Sequence, residues 1–168
     1  MKKIALLRVV FAGALFLVAS SALAGMAMKS ESGWFDFENC AFCKNLAAHE
    51  GLLEHATWEN HAIRDGLMNI MTIPAEYEGA MDEVNAAMAK LGGEIQTGKV
   101  NPMTLTMCGH CQKYGMLMMT GKVDMETVEG DAATVTLMTS ADEHTAEELR
   151  QMAVRDTEEM AKLTAHAH

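Results

Sequence analysis

The chain has 168 residues, 13 Lys and Arg against 23 Asp and Glu, a formal net charge of −10, and 49% hydrophobic residues. An acidic chain offers little basic surface to phosphate, so the expected partner is a metal ion and not nucleic acid. The four Cys and sixteen Met supply the soft donor atoms that such a partner would need.

The chain opens on Met1-Lys2-Lys3-Ile4, with Arg8 nearby, an apolar run over residues 9–19, and Ser20-Ser21-Ala22-Leu23-Ala24. A charged start, a short apolar stretch and an Ala-x-Ala ending have the form of a secretory signal peptide over residues 1–24. The run is too short for a lasting membrane anchor, so no membrane association is expected after cleavage, and the location implied is periplasmic or secreted. The signal carries three basic and no acidic residues, which leaves 10 basic against 23 acidic in the mature chain, a balance of −13. Residues 25–37 read as a mobile leader in which Trp34, Phe35 and Phe37 should nevertheless dock. Residues 38–168 form one domain.

Within that domain an internal repeat is expected over 38–92 and 104–165. Cys40-x-x-Cys43 and Cys108-x-x-Cys111 are offset by 68, Met71-Thr72 and Met138-Thr139 by 67, and Met88-Ala89-Lys90-Leu91 recurs at 160–163. Each half reads as CxxC with a helix, a hairpin, and a second helix. In the first, Phe42, Leu46, His49 and Leu53 are spaced for one helix, and two strand-like runs at 58–64 and 67–73 flank Asp65-Gly66, a strong hairpin signal. Pro74 then opens a helix that Gly92-Gly93 should end, and residues 93–103 become a linker.

The second half gives a helix over 108–120 stopped by Gly121, then strands near 122–128 and 132–139 around Glu129-Gly130. Ser140-x-x-Glu143 has the form of a capping box. The last helix buries Ala146, Leu149, Met152, Ala153, Met160 and Leu163, with Glu158 and Lys162 one turn apart outside. The fold class is therefore α+β: two homologous halves, an antiparallel sheet of about four strands, and helices packed mainly on one face, with a pseudo-twofold as the natural arrangement.

A pseudo-twofold would bring the two CxxC motifs to one centre, giving Cys40, Cys43, Cys108 and Cys111 as the ligands of a single thiolate site, zinc before other metals. Met107, Met116, Met118 and Met119 near the second motif admit Cu(I) as a further candidate, against the plainer role of core filling.

Two alternatives compete. Cys108-Gly109-His110-Cys111 resembles the redox motif of disulfide isomerases of the thioredoxin family, which would make Cys108 and Cys111 a thiol-disulfide couple with His110 favouring thiolate. Beyond those four residues the resemblance stops, since both prolines, Pro74 and Pro102, precede Cys108. The other alternative is an interaction module stapled by disulfides. Covalent haem is excluded because Lys44 and Gln112 follow the pairs where CxxCH is required. His49, His55 and His61, six apart, cannot share a helix face. No nucleophile with a base, phosphate loop or catalytic carboxylate pair points to other enzymatic work.

Overall fold

The computed structural model describes residues 33–166, with the side chains of 164–166 left aside. The expected signal peptide and most of the expected leader therefore lie outside the described residues. Five helices and four strands follow in the order α1 (Lys44–Ala47), α2 (Leu52–His55), β1 (Thr57–Ile63), β2 (Gly66–Thr72), α3 (Glu78–Gln96), α4 (Gly109–Met119), β3 (Asp124–Glu129), β4 (Thr134–Thr139) and α5 (Glu143–His166).

The strands form one antiparallel sheet in the order β1-β2-β4-β3, so each hairpin supplies an edge and a central strand. Arg64 and Asp65 make the first turn, and Gly66, at φ 154°, returns the chain into β2. A Cβ on Gly66 would run into the carbonyl of Met138 on the neighbouring strand, so the Asp-Gly signal serves strand approach as well as the turn. The turn is also tied to the last helix. Ser140 N–H donates to the Asp65 carbonyl at 2.9 Å, and the Arg150 guanidinium donates to the Arg64 carbonyl.

Strand alternation sorts the sheet into two faces. Leu67 lies opposite Met138, and Trp58 opposite Met71, so all four fall on the same face. On that face Leu67 and Met138 pack with Leu117 of α4 and with Leu149, Met152 and Ala153 of α5. At the other end Trp58 and Met71 pack with Leu52, Met81 and Val84. Helix α5 thus crosses β1, β2 and β4, and the helices cover one face as the apolar patterning requires. Of the six positions expected to form its apolar face, Ala146, Leu149, Met152 and Ala153 are buried, whereas Leu163 is exposed.

Local signals were overridden at three places. The expected single helix over 42–53 is split into α1 and α2, because Gly51 turns left-handed (φ 80°) and Tyr77 packs so closely over it that a Cβ would collide with its hydroxyl. Helix α3, entered through a 3-10 turn over Ala75–Tyr77 just after Pro74, runs through Gly92-Gly93 to Gln96. Its end comes where Gly98 turns left-handed and Thr97 Oγ1 donates to the Gly93 carbonyl at 2.8 Å. Continuing an established helix adds one hydrogen bond per residue, and this outweighs the entropic cost of two glycines.

The third override is the cap of α5. Asp142 and not Ser140 caps it, accepting from Thr145 N–H at 3.0 Å, while the Ser140 hydroxyl donates to the Lys122 carbonyl at 2.7 Å. On the exposed face Lys162 pairs with Glu159 at 2.9 Å.

Gly92 and Gly93 have open space where a Cβ would sit. Replacing both by Ala should stabilise the domain by about 1–2 kcal/mol, read as a higher urea midpoint at unchanged slope; an unchanged or lower midpoint would contradict a continuous helix. The Asp142 carboxyl is held well below the usual carboxylate range by the Lys122 ammonium at 2.8 Å and then by the Thr145 N–H. A depressed carboxylate stabilises above its unfolded pKa and loses that contribution as pH falls through its folded one. Asp142→Ala should therefore lower the melting temperature at pH 7 and narrow its gap to the parent protein below about pH 4.

Candidate metal centre

Both cysteine pairs sit where a turn feeds a helix. Asp36 Oδ1 accepts the backbone N–H groups of Glu38 and Asn39 at 3.1 and 2.8 Å, curling the chain into Cys40. Lys44 N–H returns to the Cys40 carbonyl at 3.1 Å, and Cys43 becomes the N-terminal cap of α1. In the second pair Cys108 caps α4 in an extended conformation, and Gln112 closes the turn twice. Its backbone N–H donates to the Cys108 carbonyl at 3.0 Å and its side-chain amide to the Met107 carbonyl at 2.7 Å.

The pairs are held against each other by backbone. Ala41 N–H donates to the Thr106 carbonyl at 2.9 Å, joining the loop of the first motif to the approach of the second. The four sulfurs then lie within 4.8 Å of one another, with Cys43 Sγ 3.6 Å from Cys108 Sγ and 3.5 Å from Cys111 Sγ. No disulfide joins them. Tetrahedral zinc with bonds near 2.3 Å requires sulfurs about 3.8 Å apart, so the cluster has the dimensions of a four-thiolate site.

Cys40, Cys43 and Cys108 are buried, Cys111 is partly exposed, and Phe37 and Phe42 pack around them as a small core of their own. Crowding makes the thiols titrate as a set. The Cys108 thiol hydrogen-bonded to Cys40, ahead of contacts from the other sulfurs, drives Cys40 down, and the Cys111 thiol lowers Cys108 to about 6. Their hydrogen bonds to the Cys108 sulfur push Cys43 and Cys111 up. A divalent cation held by all four sulfurs would displace the protons they carry.

A strap from the chain's N-terminal side closes the assembly. Gly109 and His110, the first residues of α4, donate their N–H groups to the carbonyls of Gly33 and Trp34 at 3.2 and 2.9 Å. These are donors that a helix start leaves unpaired. The Trp34 indole N–H donates to Asp156 Oδ1 at 2.6 Å, and His110 Nδ1 contacts the same oxygen at 2.8 Å. Arg155 covers the indole ring at 3.9 Å. The docking expected of Trp34 is thus made on α4 and α5, and Asp156, only 1% exposed, is the anchor.

His110 is accordingly turned toward Asp156 on α5 and is not among the four clustered ligands. The other candidate histidines are scattered: His49 lies 3.9 Å from Glu83, His55 stacks on Tyr77, and His61 on β1 pairs with Glu59 at 3.2 Å. Met107 is buried beside the second pair, Met118 packs into the main core, and Met116 and Met119 are exposed. Asp156 was missed by sequence reasoning. A lone carboxylate three and four residues beyond Ala153 and Met152, in the line of Leu149, was the available signal.

No protein-family model, curated protein or solved structure matches this chain.

A Cβ on Gly109 would lie 2.9 Å from the Trp34 ring, so the glycine of the second motif is a packing requirement. Gly109→Ala should displace the indole, costing about 1–3 kcal/mol and red-shifting the tryptophan emission. An unshifted spectrum at parental stability would show that the strap does not depend on this contact.

Proposed function

We propose that this is an exported metal-binding protein, periplasmic or secreted, whose two CxxC motifs hold one zinc ion in a closed four-thiolate site that stabilises the domain. The observation that carries the reading is the convergence of four unlinked sulfurs, three of them buried, from segments 68 residues apart in sequence. Three buried thiols in contact with a fourth have no role in packing that apolar side chains would not fill better. Four thiolates also leave no open position on the metal, which favours a structural ion over a Lewis acid. With Zn²⁺ the set carries a net charge of −2. The start of α4 faces it with a positive dipole end, and the Cys108 and Cys111 backbone N–H groups are directed at the Cys40 and Cys108 sulfurs.

Export rests on the signal-like residues 1–24, and the duplicated halves rest on the matched spacings. Both are part of the proposal.

The thiol-disulfide oxidoreductase is the competing reading, favoured by Cys108 at the N-terminus of α4 with its lowered pKa. Its accessibility argues the other way: Cys108, the thiol with the lowered pKa, is 0% exposed.

Native mass spectrometry of protein purified anaerobically should find one zinc per chain and four thiols protected from alkylation until a chelator is added. Cys40→Ser and Cys108→Ser should each lose the metal and lower the melting temperature. A metal-free chain with four freely alkylated thiols, or two disulfides that exchange with glutathione near about −200 mV, would overturn the zinc site. One Cu(I) per chain in its place would keep the thiolate site and change its ion.

A further inference from the structure

The four sulfurs are not equivalent, and the difference points outward. Cys40 and Cys108 are 0% exposed and Cys43 is 5% exposed, so Cys111, the one clustered thiol that is not buried, is the most accessible. Cys43 Sγ lies 3.6 Å from Cys108 Sγ and 3.5 Å from Cys111 Sγ, and the second distance is within about 1.5 Å of a disulfide bond length.

Resting on the four-thiolate reading, we infer that the centre is also an oxidation site for small hydroperoxides, in which Cys111 is attacked and Cys43 resolves it, giving a Cys43–Cys111 disulfide across the two motifs and releasing the metal.

The supports of the two sulfurs decide which pair forms. Cys108 and Cys111 are fixed on the first turn of α4, where the Gln112 contacts and the Gly33 and Trp34 carbonyls hold the backbone. Cys43 caps a helix of only four residues, against eleven in α4. Closing the remaining distance is therefore assigned to the shorter element, α1. Cys111 is only partly exposed, beside a cluster that Phe37 and Phe42 also pack against, and this favours a small oxidant over a folded protein.

The chemistry balances with the peroxide alone as oxidant. The Cys111 thiolate attacks one peroxide oxygen, the O–O bond breaks, and hydroxide leaves with the bonding pair, so that sulfur becomes a sulfenic acid. The Cys43 thiolate then attacks that sulfur, the S–O bond breaks, and a second hydroxide leaves. Two electrons pass from the two thiolates to one peroxide, and two protons from solvent complete two waters. Cys40 and Cys108 remain as two ligands of the original four, too few to hold zinc in a closed site.

The test uses zinc-loaded full chain, one equivalent of hydrogen peroxide, a chromogenic chelator and a tryptic digest without reductant. Each motif lies in its own tryptic peptide, ending at Lys44 and at Lys113. The expected result is one zinc released per disulfide and the two peptides covalently linked, with fragmentation assigning the bond to Cys43 and Cys111. A loss of two mass units within either peptide, a link through Cys40 or Cys108, or zinc retained at a hundredfold excess of peroxide would overturn the inference and leave the zinc site standing. A chain holding no zinc before peroxide is added overturns the metal reading, and this inference with it.

Discussion

Four sulfur atoms held within 4.8 Å of one another, three of them out of solvent, are the constraint around which the rest of the described chain is organised. Thiolates that close repel, and thiols that deeply buried contribute little that aliphatic side chains would not contribute better. The arrangement is therefore expensive unless a cation completes it. Backbone contacts around it limit the cost of assembly. The Ala41 to Thr106 hydrogen bond, the turn at Asp36 and the capping of α4 by Cys108 all position sulfur without relying on the sulfurs' own attraction.

Asp156 extends that constraint to the main core. Its carboxylate takes hydrogen bonds from Trp34 and contacts His110, so one buried charge joins the N-terminal strap, the second cysteine motif and α5. Helix α5 in turn lies across β1, β2 and β4, and Arg150 and Thr157 fasten it to the Arg64 and Asn60 carbonyls of the first hairpin. The cysteine centre is consequently not a detachable knuckle. Losing one of its cysteines should therefore register in global stability.

Much of this was legible in the residues. Period-two runs around Asp65-Gly66 and Glu129-Gly130 specify hairpins because alternation and turn chemistry are local, and the α+β class with a four-stranded antiparallel sheet follows from them. Other local signals were outvoted by partners distant in sequence. Tyr77 over Gly51 splits a helix that spacing alone would run through, α3 carries Gly92-Gly93 because neither glycine is needed for a turn, and Asp142 displaces Ser140 as a cap because Ser140 is bonded to Lys122.

By itself the sequence determined the chemical types and their spacing: two cysteine pairs, two hairpins, an apolar stripe on the last helix, and a carboxylate set into that stripe. These follow from covalent order and from forces that act within a few residues. Only the tertiary structure decided that the two pairs meet, that Cys111 is the exposed member, and that His110 faces α5 through Asp156. Such facts depend on distances between segments tens of residues apart, and those are fixed by which faces bury each other.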